Sequence, residues 1–320
     1  MSTHTSQEGL LRQPFVVSDR YVAGLQAMIT LGVTGWCLAG GSIPDVAQWA
    51  ILLVLGGVLG LGHGAVDHLL ATDVLRWVSR RRRVGFIAVY VALVAAFVGL
   101  WVVSPILAFG FFLLASAWHF GQADAHALDL PSGTGIRTAL ALAWGTSLVT
   151  AFATLAQHTG TLSEPGPDVA RVLGPLLDLT AVWGVSTGAL FGTLLWLGLR
   201  SPQHRGVLGR FAVRCVLILA VITTAPPLVS FALYFGLWHA IPSLQVEYHA
   251  LRRAGTVSSP ADFVRRLVPF TLVSLAGVVA IAWVAGRSDV YVGLVLLSSL
   301  AIPHIVLMHR LLGSQQVGTA

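Results

Sequence analysis

Apolar residues run along this chain in stretches of about twenty, parted by short clusters of Arg, Pro, Gly and acidic residues. About 20 apolar residues are needed for a helix to cross a bilayer. The chain holds ten such stretches, at approximately 21–40, 46–70, 84–103, 105–123, 137–156, 180–199, 208–225, 227–248, 269–286 and 290–311. The separators are breakers: Gly40-Gly41 with Pro44, Ser104-Pro105, Pro131 with Gly133 and Gly135, Pro165-Gly166-Pro167, Pro202, Pro226-Pro227 and Gly286. The pattern predicts an all-α integral membrane protein, a polytopic bundle of about ten transmembrane helices. It divides into a polar tail at 1–20, a single transmembrane domain at 21–312 and a second tail at 313–320. The longest connection, 157–179, carries Glu164, Asp168, Arg171 and Asp178, and 168–179 reads as a short helix lying on the membrane. No internal repeat stands out.

Composition sharpens this reading. Hydrophobic residues make up 56% of the 320 and charged residues only 10%, with a mean hydropathy of +0.81, whereas a soluble domain has roughly 25% charged residues. The pI of about 10.1 would point to nucleic acid in a soluble protein, but topology accounts for the basic residues. All 19 are Arg. With the N-terminus inside, 17 fall in cytoplasmic connections, Arg210 and Arg214 among them, and two, Arg171 and Arg287, fall outside. The positive-inside rule thus places both termini in the cytoplasm and makes Arg80–Arg83 a topological anchor rather than a nucleic-acid patch. Cys37 and Cys215 both lie in apolar stretches and offer neither a disulfide framework nor a zinc spacing. The polar start lacks the apolar core of a signal peptide, so an uncleaved first helix is expected.

Four histidines change the picture from fold to chemistry. His63, His119, His239 and His304 each sit inside an apolar stretch, the second, fourth, eighth and tenth, all of which run from outside to inside. They lie about 12 to 17 residues past the outer ends of those stretches, or roughly 18–26 Å down at the α-helical rise. One layer in the inner half of the hydrocarbon can hold all four. Ionisable residues inside a membrane are costly and mark functional sites by default. Each alone reads as an interhelical hydrogen-bonder or a member of a proton path; together at matched depth they predict one metal site. Gly62 and Gly64 flank His63 and allow close helix approach. Asp67, four residues after His63 and so on the same helical face, is placed either to orient a ligand imidazole or to bind the metal. Asp124, five residues past His119, is expected at the membrane surface. An all-histidine or histidine-plus-carboxylate set suits non-haem Fe(II) that activates O₂, and a pocket in the membrane implies a lipophilic substrate. Trp118, Tyr234 and Trp238 are candidates to line a substrate tunnel. His68, His126, His158, His204, His249 and His309 read as interfacial or solvated, and His4 lies in the tail.

These motifs resemble one family, the Brp/Blh-type β-carotene 15,15′-dioxygenases, or bacterioopsin-related proteins, of prokaryotes. The resemblance rests on His63-Gly64-Ala65-Val66-Asp67, His119-Phe120-Gly121 with Ala123-Asp124, the stretch Pro226 to His239, and Pro303-His304. It implies a multi-pass protein of the cell membrane that uses Fe(II) and O₂ to cleave the central double bond of β-carotene. The products would be two molecules of all-trans-retinal, an indirect link to a retinal-binding rhodopsin. It also implies iron ligands at His63, His119 and His239, with His304 matching the family's histidine in the last helix. One position departs: the family's further ligand histidine, one turn after His239, is here Ser243, preceded by Pro242. His249 lies about 15 Å further along the helix and is no substitute. His304, Asp67 or water would then complete the shell. Two other readings keep the fold: a divergent paralogue that binds or modifies another isoprenoid, and a proton-coupled transporter in which Pro242 breaks a helix near the midplane.

Overall fold

A computed structural model describes residues 20–75, 79–126, 134–159, 179–284 and 290–317. Residues 1–19 of the polar tail, Arg76, Arg171, Arg287 and residues 168–178 of the expected surface helix lie outside the described residues. Among the described residues there is no strand, and ten helices are long and apolar enough to cross a membrane. They are α1 (Arg20–Leu38), α2 (Asp45–Val74), α3 (Arg80–Val103), α4 (Pro105–His126), α5 (Thr134–His158), α6 (Thr180–Arg200), α7 (Arg205–Thr224), α8 (Pro227–Arg253), α9 (Pro260–Val284) and α10 (Val290–Val317). This is the architecture of a multi-pass membrane protein.

Helix α9 starts well before the predicted 269, and Pro269 lies inside it. Its first turns are polar, which hides them from hydropathy, but they are built as a helix start. Ser259 Oγ accepts from the Asp262 N–H at 3.2 Å, a side-chain cap on an otherwise unpaired donor. The Asp262 carboxylate in turn accepts from Arg265 at 3.3 Å and Arg266 at 3.2 Å, one turn on.

Two of the ten helices are irregular, and both carry a predicted histidine. In α2 a π-helical stretch, Leu52–Gly60, precedes His63, and a turn at Ala65 and Val66 interrupts the helix before Asp67. In α8 a π-helical stretch, Leu233–Ala240, contains His239 and is followed by Ile241 and Pro242. The two stretches pack closely on each other at their glycines. A Cβ on Gly236 would come within 2.6 Å of the Leu55 carbonyl oxygen, and one on Gly60 would meet the Phe235 ring. Helices α4 and α5 approach as closely, because a Cβ on Gly121 would strike the Ala141 carbonyl and one on Gly145 the Ala117 carbonyl. Small residues at such crossings let backbones touch where no hydrophobic effect drives association.

Three buried clusters surround the point where α2, α4, α8 and α10 meet. The largest joins α5, α6, α7 and α8 through residues such as Trp144, Leu190, Ile218 and Tyr234. A second joins the ends of α2, α8, α9 and α10 through Leu70, Leu251, Phe263 and Leu311. A third joins α3, α4, α5 and α10 through Trp101, Phe109, Ala153 and Ile302. Outward faces remain apolar, with Val102, Leu114, Leu195, Val273 and Trp283 well exposed, as expected of a surface that meets lipid rather than water.

Candidate metal centre

The four histidines come together. His63, His119, His239 and His304 are 5%, 6%, 2% and 5% exposed. Ring centroids lie 4.6 Å apart for His63 and His304, and 5.1 Å for both His63–His239 and His119–His239. His119 and His304 are 5.4 Å apart. One ring nitrogen from each of His63, His119 and His304 lies within 4.8 Å of the other two.

Their surroundings decide which nitrogens face the centre. His63 Nδ1 meets the main-chain carbonyl of Gly60; a carbonyl only accepts, so Nδ1 carries the proton and Nε2 keeps its lone pair. His304 Nδ1 lies 2.9 and 3.1 Å from the two oxygens of Asp67, which fixes the same tautomer. Tyr90 donates its hydroxyl to Asp67 Oδ2 at 3.2 Å and so holds the same carboxylate. Nε2 of His63, Nε2 of His304 and both nitrogens of His239 are buried without a hydrogen-bond partner among the described residues. Buried polar groups are normally paired; the nitrogens within 4.8 Å of one another belong to His63, His119 and His304, and the His239 ring lies beside them, 5.1 Å from His63 and from His119. Two nitrogens bound to one ion lie within about 4.2 Å of each other, given imidazole–metal bonds near 2.1 Å. The observed spread is close to that limit, and an all-imidazole set suits iron, zinc, copper or nickel. The donor set therefore fits a metal ion.

Aromatic rings close the centre. Phe235 stacks on His239 at 5.8 Å with an interplanar angle of 8° and presents its edge to His63 at 5.6 Å. Phe120 meets His239 edge-on at 4.8 Å. Tyr234, buried, lies 6.3 Å from His239 and 5.3 Å from Phe120. Of the other predicted lining residues, Trp118 lies beside His309 at 6.0 Å. Trp238 donates its indole N–H to Thr30 Oγ1 at 2.9 Å. Asp67, predicted to share a face with His63, reaches His304 instead. Ser243 turns its hydroxyl to the His239 carbonyl at 2.9 Å.

One expectation needs correction: Arg214 is not in a cytoplasmic connection. Arg214 lies in the middle of α7 and pairs with Asp124, which is buried, at 2.5 Å. Burial within the bundle is tolerated here because Trp144 Nε1 also donates to Asp124, at 2.7 Å, so the carboxylate is doubly satisfied. Sequence reasoning missed this pair, and it missed Gln26, Phe120 and Phe235. An Arg six residues into the apolar stretch 208–225 was the available signal.

The family model described as beta-carotene 15,15'-dioxygenase matches residues 54–312, a span that includes all four histidines. The chain is 26% identical over 313 residues to a protein of Halobacterium salinarum named probable beta-carotene 15,15'-dioxygenase Blh, covering 85% of this chain and 86% of that one. It is 24% identical over 334 residues to the same organism's probable beta-carotene 15,15'-dioxygenase Brp, covering 92% and 90%. A beta-carotene 15,15'-dioxygenase of an uncultured marine bacterium is 26% identical over 274 residues, covering 80% and 91%. No solved structure matches at a significant level. The four-histidine centre and the family match thus fall on the same helices, and the chain belongs to the beta-carotene 15,15'-dioxygenase family.

Proposed function

We propose that this chain is a membrane-embedded dioxygenase that uses Fe(II) and O₂ to cleave the central double bond of β-carotene into two molecules of all-trans-retinal. The observation that carries the proposal is the meeting of four buried imidazoles, three with unpartnered nitrogens, in a chain of this family. His63, His119, His239 and His304 would hold the iron, which when bound supplies the activation of O₂. The balance is simple: one C=C bond and one O=O bond are broken, and one oxygen atom goes to each carbon of the former double bond. No proton enters or leaves, so no general base is needed.

The chain's own residues position and shield. Gly60 and Asp67 hold His63 and His304 in the tautomer that presents Nε2, and Tyr90 steadies Asp67. Phe120, Tyr234 and Phe235 form an apolar, aromatic wall that excludes water and can lie against a polyene. A carotenoid would enter from lipid, with both chain termini in the cytoplasm of a prokaryotic cell and retinal passing to a rhodopsin. A second reading, a divergent member acting on another isoprenoid, is favoured by one observation. Ser243 stands where the family places a histidine, and its hydroxyl is engaged with the backbone.

Retinal formation in cells that accumulate β-carotene separates these readings. The parent should form retinal and His63→Ala should form none. Retinal only from Ser243→His would favour the divergent reading. Silence from the inserted parent and from Ser243→His would reject cleavage of β-carotene.

A further inference from the structure

Pro242 has no N–H, so the carbonyl of Trp238, four residues earlier, lacks its α-helical donor. The π-helical register removes a second donor. Ile241 N–H bonds to Gly236, which takes it from Leu237, and the next N–H that Leu237 could use is again the one missing at Pro242. Unpaired carbonyls are costly inside a membrane. Side chains from other helices meet both. Gln26 of α1 donates Nε2 to the Leu237 carbonyl at 2.6 Å. Arg214 of α7 donates Nη2 to the Trp238 carbonyl at 2.6 Å. The next carbonyl, of His239, accepts from Ser243 Oγ at 2.9 Å, so three successive carbonyls at 237–239 carry side-chain donors.

Arg214 is itself held in place. The same Nη2 donates to Asp124 Oδ1 at 2.5 Å, and the guanidinium lies over the Trp238 ring, 5.5 Å from its centroid. Asp124 belongs to α4, the helix of His119, and Trp144 of α5 holds its other oxygen. One guanidinium thus spans from the helix of His119 to the peptide unit that joins Trp238 to His239.

We propose that Arg214 is a positioning residue of the metal centre. Anchored by Asp124, it caps the Trp238 carbonyl that Pro242 leaves without a donor, and so fixes His239 against His119. The proposal rests on the iron reading above and assigns a task to Pro242 as well: the cap is needed because the proline is there. A buried ion pair that served helix packing alone would be indifferent to residue 242.

The test is a cycle on the purified full-length protein in detergent. The variants are Asp124→Asn with Arg214→Met, which removes the pair without stranding a charge; Pro242→Ala, which restores the missing N–H; and all three together. Fe(II) bound per chain at limiting metal and the visible spectrum of the Co(II)-loaded protein are read for each, with thermal midpoints without metal. The pair should weaken Fe(II) binding about 10-fold, the scale for groups that orient ligands, and alter the Co(II) spectrum. Adding Pro242→Ala should return binding, spectrum and midpoint to those of Pro242→Ala alone. A triple variant no better than the pair, or a pair that binds like the parent, overturns the proposal. Should the double variant not accumulate, Pro242→Ala and the triple variant decide: the two should bind Fe(II) alike, and a triple variant about 10-fold weaker than Pro242→Ala would refute the cap. A parent that binds no Fe(II) refutes the iron reading itself.

Discussion

His63 and His304 reach the same tautomer by different means, one through a main-chain carbonyl and the other through a carboxylate, and this makes them unequal targets for mutation. No side-chain replacement removes the Gly60 carbonyl, whereas Asp67→Asn removes the charge behind His304. Fe(II) affinity should fall by about 10- to 100-fold in Asp67→Asn, measured as iron retained at limiting metal. Tyr90→Phe loses one hydrogen bond to that carboxylate and should cost about 1 kcal/mol of stability, with stoichiometric iron retained when metal is in excess. The four histidines were legible in the sequence because each is a polar group within a run of apolar residues of spanning length. The target of Asp67 was not. Counting four residues from His63 assumes a continuous helix, but the turn at Ala65 and Val66, where Val66 has φ −100° and ψ 8°, rotates Asp67 away from that face. Arg214 and Asp124 escaped for a related reason: their partner is 90 residues distant in sequence, and no local pattern encodes such a pairing.

Between whole helices, the close crossing of α4 and α5 sets where His119 stands. A Cβ at Gly121 or Gly145 would meet main-chain carbonyls, which cannot rotate aside as a side chain could. Gly121→Ala and Gly145→Ala should each lower stability by about 1–3 kcal/mol or more and reduce retinal formation by shifting α4. Gly99→Ala, which meets nothing within 4 Å, should leave the thermal midpoint and activity nearly unchanged. Helix number and the shared level of the histidines were readable because length and hydropathy carry that information directly. The π-helical stretches were not, since Leu52–Gly60 and Leu233–Ala240 read as apolar spanning helix with scattered glycines, and only tertiary packing selects the wider turn.

At the scale of the molecule, a centre built by four helices from distant parts of the chain ties metal binding to the fold. Fe(II) at 100 times its Kd should stabilise the protein by about 2.7 kcal/mol, and a chelator should abolish that gain; a thermal midpoint indifferent to both would argue against a shared site. The Arg distribution predicts that a fluorescent protein fused after Ala320 folds and glows in the cytoplasm, while a phosphatase active only outside stays silent there. The facing π-helical stretches set a limit of another kind. Residues beyond such a stretch keep their phase only while its length is kept, and losing one residue turns everything after it by about 100°. A deletion within Leu233–Ala240 would thus swing one side of α8 away from its neighbours while leaving the composition almost untouched. Changes of length should therefore be tolerated in the connections between helices and not in this stretch, which leaves substitution as the route for remodelling the centre.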